Sequence, residues 1–281
     1  MLVRPANLEQ ALEQLSAGAR ILAGGTDVMT TATEARLAGD FVDVSRIVEL
    51  RGVTRTDGEF RFGGATTWDQ IARAELPPAF DALKAAAREV GSIQIQNRGT
   101  IAGNLCNASP AADGVPPLLA LDAEVELASL WGVRRLTLAR FLKGPRRTEL
   151  ASDEMLSAVV CPAPPAGMRS TFLKLGARRY MVISIAMVAV GLEIEGDFVR
   201  AARVAVGACS PVAMRLAEAE RRLVGESARE GLGALLQAED FLSLAPIDDG
   251  RASADYRRSA ALTLTRRAIA LCLKGECGGA V

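Results

Sequence analysis

The chain has 281 residues, of which 49% are hydrophobic and only 4% aromatic, a composition typical of a globular α/β or α+β protein, most simply of two domains. Lys and Arg total 33 and Asp and Glu also total 33, so charge gives no reason to expect binding to nucleic acid or to an anionic membrane. Histidine is absent, which excludes Ser-His-Asp triads, histidine-ligated metals and a flavin tethered to histidine.

The cysteines and the apolar stretches argue against several further classes of protein. No C-x-x-C motif occurs, which argues against zinc and against iron–sulfur ligation by this chain; the cysteines are Cys106, Cys161, Cys209, Cys272 and Cys277. The N-terminal residues do not resemble a secretory signal, and we expect a cytoplasmic protein. The longest apolar stretch, residues 181–192, is shorter than the roughly 20 residues of a membrane span and is predicted to be a buried strand.

After a first helix, the first elements follow a strand–turn pattern rather than a regular β-α-β alternation. Asn7 is the predicted N-cap of a helix that ends near Gly18. Strands are predicted at residues 21–23, 40–44 and 59–62. Residues 67–90 show helical spacing interrupted by two prolines, which predicts two helices.

A polar segment and a second region follow. Residues 91–113 are predicted to form a loop that is too long and too polar for a mere connector, and loops of that length are usually functional or disordered. Strands at 123–127 and 155–161 precede a proline-rich boundary near 162–167. Beyond it we expect three strands and then helices; the strands are 170–176, 183–194 and 199–207, and the helices are 214–223, 232–236 and 255–273. This order predicts an α+β lobe. Six arginine pairs spread along the chain are interpreted as solvated faces or subunit contacts.

Two glycine-rich loops carry the candidate chemistry. Neither G-x-G-x-x-G nor a P-loop is present, which disfavours Rossmann and Walker-type sites. A single glycine pair is normally a tight turn, but two such loops favour an anion cradle. Gly24, Gly25 and Gly103 would let backbone N–H groups approach a pyrophosphate, with side-chain donors from Thr26, Thr100 and Asn104. The spacing alone does not identify the dinucleotide.

Both loops resemble the paired FAD-binding motifs of one family. Ala23-Gly24-Gly25-Thr26-Asp27, residues 97–104 (NRGTIAGN) and residues 109–113 (SPAAD) are similar to the FAD-binding (medium) subunits of molybdenum hydroxylases, which include xanthine dehydrogenase and aerobic carbon monoxide dehydrogenase. The resemblance extends to residues 42–45, 64–68 and 207–215. It implies an FAD-binding domain of the vanillyl-alcohol oxidase type at residues 1–165, with subdomains near 1–55 and 56–165, and a C-terminal domain of antiparallel sheet and helices at 168–275.

The resemblance also implies a non-covalent FAD site. Two segments would hold the pyrophosphate and ribityl chain: Ile21, Leu22, Ala23, Gly24, Gly25, Thr26, Asp27 and Val28, with Gly99, Thr100, Ile101, Gly103 and Asn104. Four further residues would lie toward the rings: Asn107, Asp113, Leu156 and Lys174. On the residues alone, Asp113 is more simply a cap or turn residue, Lys174 a surface-facing strand residue and Leu156 a core residue.

The family role implies partners. A small subunit with two iron–sulfur clusters would deliver electrons, and a large subunit would carry the molybdenum cofactor, the whole forming a dimer of heterotrimers. NAD, oxygen and quinone remain open as terminal acceptors. Ala102 and Gln96 replace the family's usual glycine and arginine, and residues 179–184 are unusually apolar. The alternatives are a self-contained flavin oxidase or reductase of the same fold and a cofactor-free assembly module.

Overall fold

The structure is a computed structural model that describes residues 1–30, 39–56, 58–276 and 278–280. Cys277 and part of the segment after the first glycine-rich loop therefore lie outside the described residues. The strands are β1 (Leu2–Val3), β2 (Arg20–Leu22), β3 (Phe41–Asp43), β4 (Val53–Arg55), β5 (Glu59–Gly63), β6 (Glu124–Ser129), β7 (Gly132–Thr137), β8 (Leu142–Gly144), β9 (Arg147–Thr148), β10 (Met155–Pro162), β11 (Arg169–Leu175), β12 (Ala186–Glu195), β13 (Phe198–Gly207), β14 (Met214–Arg215) and β15 (Gly279–Ala280). The helices are α1 (Leu8–Ser16), α2 (Trp68–Arg73), α3 (Asp81–Glu89), α4 (Ile93–Gln96), α5 (Ile101–Asn107), α6 (Val115–Ala120), α7 (Leu138–Phe141), α8 (Ala217–Leu223) and α9 (Ala254–Lys274). Short 3₁₀ turns occur at Val48–Leu50, Pro78–Phe80, Leu232–Leu235 and Ala238–Phe241.

A small parallel sheet of order β1-β3-β2 begins the fold. The helix α1 packs on it because its apolar residues Ala11, Leu12 and Leu15 fall on one face. Asn7 caps this helix as predicted, its side chain accepting from the Gln10 backbone N–H at 3.0 Å. The end of β2 at Leu22 delivers the chain directly into the first glycine-rich loop.

The second sheet is antiparallel, of order β4-β5-β10-β6-β7. The central strand β10 pairs with β5 on one side and β6 on the other, and its first residue, Met155, belongs to the buried cluster of the first sheet. Phe62, Trp68 and Phe80 fill the core beneath it and are almost completely buried. Helices α2 to α6 surround this core and include the second glycine-rich loop.

The third sheet has the order β14-β13-β12-β11-β15 and is covered by α9. Its strands β11, β12 and β13 are antiparallel, as predicted for the second region, while β15 runs parallel to β11. Phe172 and Met187 of this sheet belong to the same buried cluster as Trp68 and Phe80 of the preceding region. The proposed domain boundary near residues 165–168 coincides with the change of sheet and stays a prediction.

Several sequence predictions were wrong in detail. Residues 91–113 are not one loop, because Thr100 caps α5 and a short helix α4 precedes it. The stretch 181–192 is not wholly buried, since Met181 is 62% exposed and Ile183 60% exposed, and β12 begins only at Ala186. The helix predicted at 214–223 begins at Ala217, after the edge strand β14.

The interpretation of the arginine pairs as solvated was also incomplete. Arg257 is only 2% exposed and donates to the Ile185 carbonyl at 2.6 Å and to Asp249 at 2.7 Å. Buried guanidinium groups require such partners, so Arg257 fixes α9 against the start of β12.

Candidate functional site

A cavity of about 410 Å³ lies between the two glycine-rich loops and the end of β10. Its volume falls in the usual range for small-molecule and cofactor sites, roughly 300–1,000 Å³. Most predicted site residues line it: Ile21, Ala23, Gly24, Gly25, Thr26, Asp27, Val28, Gly99, Thr100, Gly103, Asn104, Asn107 and Leu156. Segments that are separated by more than 70 residues in sequence are thus brought together.

The two loops touch each other through their backbones at Gly24. A Cβ atom at Gly24 would lie 2.0 Å from the carbonyl oxygen of Arg98, so no other residue fits without moving one of the loops. Gly25 has a φ of +77°, in the left-handed region that favours glycine. Glycine is therefore required at position 24 by the loop contact and at position 25 by backbone conformation.

The first loop supplies backbone donors. Among the described residues, the N–H groups of Gly24, Gly25 and Thr26 donate no hydrogen bond. Consecutive N–H groups without internal partners on a cavity wall form the kind of concavity that binds phosphate oxygens. This loop fits the pyrophosphate of a dinucleotide.

The second loop contributes differently from the prediction. The N–H of Gly103 donates to Thr100 Oγ1 at 3.1 Å, and the N–H groups of Ile101 and Ala102 donate to the carbonyls of Thr66 and Gly64 at 3.0 and 3.1 Å. The first turn of α5 therefore has few free donors. Gly103 instead keeps the cavity open, because a Cβ there would meet only Thr100 Oγ1, at 3.0 Å.

Asn104 provides a polar group that the protein itself leaves unpaired. Its Oδ1 atom is buried and has no hydrogen-bond partner among the described residues. A buried acceptor without a donor costs free energy unless a ligand supplies one. Since Asn104 lines the cavity, this orphaned oxygen fits a ligand with N–H or O–H donors, such as a flavin with its ribityl chain.

Asn107 ties the two loops together at one end of the cavity. Its Nδ2 donates to Asp27 Oδ1 at 2.8 Å, and its Oδ1 accepts from the guanidinium of Arg146. Arg146 also donates its backbone N–H to the carbonyl of Ala108, whose left-handed φ of 45° ends α5. The side chain of Asn107 thus fixes the spacing of the loops.

Four predicted residues do not line this cavity. Leu22 and Ile101 are buried behind its walls. Asp113 and Lys174 form a buried ion pair of 2.7 Å instead. The interpretation of Lys174 as a surface residue is wrong, because it is only 3% exposed.

The pair is completed by two further contacts. Ser184 Oγ donates to the other oxygen of Asp113 at 2.8 Å, and Lys174 Nζ donates to the carbonyl of Glu89 at 3.2 Å. Burial raises the pKa of Asp113, while the charge of Lys174 and the hydrogen bonds from Lys174 and Ser184 oppose that shift. Glu89 precedes Val90, which lines the cavity, so the pair supports the wall from behind.

Sequence reasoning missed several lining residues. The additional side chains come mostly from apolar positions indistinguishable from core in the sequence: Val44, Trp68, Val90, Ile95, Cys106, Leu150, Glu154 and Met155. Glu154 accepts a bidentate pair of hydrogen bonds from Arg134, at 2.5 and 2.8 Å. Hydrogen bonds from Arg134 lower the pKa of Glu154, which keeps this side chain anionic at the cavity wall.

Among the residues that line the cavity there is one cysteine, Cys106. Burial raises the pKa of its thiol to about 12. A protonated thiol is a poor nucleophile, so Cys106 is unsuited to forming a covalent bond with a flavin.

The described residues contain neither a metal-binding cluster nor a helix that could span a membrane. Within residues 1–30, 39–56, 58–276 and 278–280, no group of three or more Cys, Asp and Glu side chains could hold a metal ion. None of the helices in that part of the chain has the length and apolar character needed to cross a membrane.

Comparison with known proteins agrees with this geometry. Residues 1–164 match the FAD binding domain in molybdopterin dehydrogenase, and residues 171–271 match the CO dehydrogenase flavoprotein C-terminal domain. The chain is 33% identical over 278 residues to the xanthine dehydrogenase FAD-binding subunit of Escherichia coli O157:H7, covering 95% of this chain and 93% of that one.

Two carbon monoxide dehydrogenases are also similar. The medium chain of the Hydrogenophaga pseudoflava enzyme is 30% identical over 267 residues, covering 92% of this chain and 90% of that one. The solved structure of reconstituted CO dehydrogenase from Oligotropha carboxidovorans matches with a TM-score of 0.90 at 25% identity, covering 97% of each chain. The α+β fold class and the order of the two domain types are confirmed. This chain belongs to the family of FAD-binding subunits of the molybdenum hydroxylases.

Proposed function

We propose that this chain binds FAD without a covalent link and passes electrons from the iron–sulfur clusters of a partner subunit to a terminal acceptor. The observation that carries the proposal is the cavity between the two loops, in which Gly24, Gly25 and Thr26 present unpaired backbone N–H groups. These donors fit a pyrophosphate, and the apolar surface contributed by Leu156 and its neighbours fits a flat ring system.

The site residues have different roles in this proposal. The loop from Ile21 to Val28 binds the pyrophosphate, and the Gly99–Asn104 segment adds the Thr100 hydroxyl, the Asn104 oxygen and the space kept by Gly103. Asn107 sets the distance between the loops rather than serving only as a ligand. Asp113 and Lys174 act as a buried pair that positions the wall near Val90.

The chemistry belongs to the cofactor, and the protein governs its surroundings. Bound FAD would accept electrons singly from iron–sulfur clusters and release them as a pair. The chain's own residues bind and orient it: the apolar wall excludes water, Glu154 holds a negative charge and Cys106 stays protonated. No acid–base side chain of this chain is needed in such a transfer, which agrees with the absence of histidine.

The finer assembly is part of the same proposal. A small subunit carries two iron–sulfur clusters and a large subunit carries the molybdenum cofactor, in a dimer of heterotrimers. NAD, oxygen or quinone is the terminal acceptor. A cytoplasmic location goes with the proposal, because the four described cysteines are all free thiols.

The decisive experiment compares the isolated chain with the reconstituted complex. The isolated, FAD-loaded chain should not hydroxylate purines or aldehydes or oxidise carbon monoxide, whereas mixing it with the two partner subunits should give substrate-dependent bleaching of the flavin absorbance. Turnover of such a substrate by the isolated chain, within the usual range of roughly 1–1,000 per second, would establish a self-contained oxidase instead. A chain that never binds FAD would be an assembly module.

A further inference from the structure

A second cavity, of about 230 Å³, is lined by both Gly24 and Arg98, whose backbones lie close together. It shares four wall residues with the cavity of about 410 Å³ described above, which we call the FAD cavity. Its remaining wall residues are polar: Ser45, Arg46, Arg51, Thr67, Asn97 and Arg98. We call this the arginine cavity. Three arginines, the Thr67 hydroxyl group and one amide in a single concave wall are donors suited to an oxyanion.

The three arginines of this cavity have no internal partner in the described part of the chain. Among the described residues, Arg46, Arg51 and Arg98 form no ion pair or side-chain hydrogen bond, although many other arginines do. The neighbouring carboxylate Asp43 is already engaged, since it pairs with Arg4 at 3.2 Å and accepts from Ser45 at 2.6 Å. The guanidinium groups of the arginine cavity are therefore not held by ion pairs or hydrogen bonds to the described residues.

The tight backbone contact separates this cavity from the FAD cavity. The position of a Gly24 Cβ lies only 2.0 Å from the Arg98 carbonyl oxygen, so no ligand group can pass between the loops there. The FAD cavity also has its own phosphate donors at Gly24, Gly25 and Thr26. Arg46 and Arg51 line only the second cavity, which favours a ligand distinct from FAD.

We propose that the arginine cavity binds the phosphate group of a second ligand beside FAD. Arginine recognises phosphate through paired N–H donors, and the Thr67 hydroxyl group supplies a further hydrogen bond. Free inorganic phosphate and a nucleotide both present this group. The inference relies on the proposed function only for the identity of the neighbouring cofactor.

The test uses the full chain loaded with FAD. Inorganic phosphate and adenosine monophosphate are titrated separately by calorimetry at constant ionic strength, and FAD content is measured by absorbance in every sample. Wild-type protein should bind phosphate at one site, and Arg46→Gln/Arg51→Gln should bind it at least tenfold more weakly with FAD content unchanged, because charge-assisted hydrogen bonds are lost. Tighter binding of adenosine monophosphate than of phosphate identifies a nucleotide as the source, and equal binding identifies the free ion.

A matched control removes the same charge elsewhere. Arg73→Gln/Arg179→Gln changes two exposed arginines outside the cavity and should leave phosphate affinity within about twofold. Equal weakening in both double variants, unchanged affinity in the cavity variant, or loss of FAD from the cavity variant would each overturn the proposal. A wild-type chain that binds phosphate but no FAD would contradict the proposed function while leaving this inference intact.

Discussion

Lys174 Nζ and Asp113 Oδ2 lie 2.7 Å apart, in an ion pair that joins strand β11 to the segment between α5 and α6. Both side chains are nearly inaccessible to solvent. Their remaining polar atoms are partly satisfied by Ser184 and by the carbonyl of Glu89. A pair buried to this degree fixes the position of β11 relative to the segment between α5 and α6. Removing one partner leaves the charge of the other buried without a counter-charge.

Replacing Lys174 by Met should therefore cost about 3–5 kcal/mol in the free energy of unfolding. The thioether fills much of the space of the lysine stem but leaves Asp113 without its cation. Urea denaturation of the full chain measures the loss. Lys143→Met is the matched control, because Lys143 pairs with Glu149 at the surface and should cost no more than about 1 kcal/mol. Equal costs for the two variants would show that the buried pair contributes no more than a surface pair.

Glu154 should give a stability contribution that depends on pH. The Arg134 hydrogen bonds lower the folded-state pKa of Glu154 below its ordinary value of 4.5, so the contribution is present above that value and is lost as pH falls through the lower folded-state pKa. Because Arg134 is 45% exposed, we expect about 0.5–1 kcal/mol. The difference in unfolding free energy between wild type and Glu154→Gln should be largest near pH 7 and shrink below about pH 4.5. A difference that stays constant down to pH 3 would contradict this linkage.

Substitution of Gly103 by Val should separate cofactor retention from folding. The new side chain faces the cavity and meets only Thr100 Oγ1, so helical circular dichroism should stay near native while FAD affinity falls at least tenfold. Gly250→Val is the control, because a Cβ there has open space and the position lies outside the cavity. Unchanged FAD affinity in Gly103→Val would show that this residue does not border the cofactor.

Gly24 should behave differently from Gly103. Even Gly24→Ala places a Cβ atom against the Arg98 carbonyl, so the loops must separate and both thermal stability and FAD retention should fall. Thermal unfolding followed together with flavin absorbance distinguishes the two glycines. Normal stability with lost FAD in Gly24→Ala would mean that the loop contact is easily rearranged.

All flavin should appear in the supernatant after acid precipitation of the holoprotein. Histidine is absent from the sequence, and the raised pKa of Cys106, about 12, leaves its thiol protonated at neutral pH. Absorbance of the supernatant and pellet measures the partition. Flavin that stays with the pellet would reveal a covalent link, and Cys106→Ser would then test whether this cysteine forms it.

The sequence was most informative where local signals dominate. Asn7 and the apolar spacing of residues 8–15 predicted α1, and the alternation around Phe60 and Phe62 predicted β5. Glycine-rich loops pointed to the cavity because their composition restricts the backbone independently of tertiary structure. Thr100 carried a capping signal for α5, yet the abundance of polar and glycine residues favoured a loop prediction.

The remainder depends on contacts between distant residues. Lys174 and Asp113 are 61 residues apart, and no local pattern indicates that the lysine faces inward. Similarly, the engagement of the Gly103 N–H by Thr100 and the meeting of Gly24 with Arg98 follow from how the loops pack. These contacts determine which backbone donors stay available, and so the sequence identified the loops but not the source of their donors.

Trp68 and Phe80 share one hydrophobic core with Phe172 and Met187, and this shared core limits which domains can be exchanged between related proteins. A chimaera joined between residues 164 and 171 would keep each of the two family domains whole. Its hydrophobic core would nevertheless combine side chains from two different proteins, which are not complementary in shape. It would also separate Asp113 from its own Lys174. A successful graft of this FAD module would therefore have to bring β11 and β12 with it, whatever family the rest of the acceptor chain comes from.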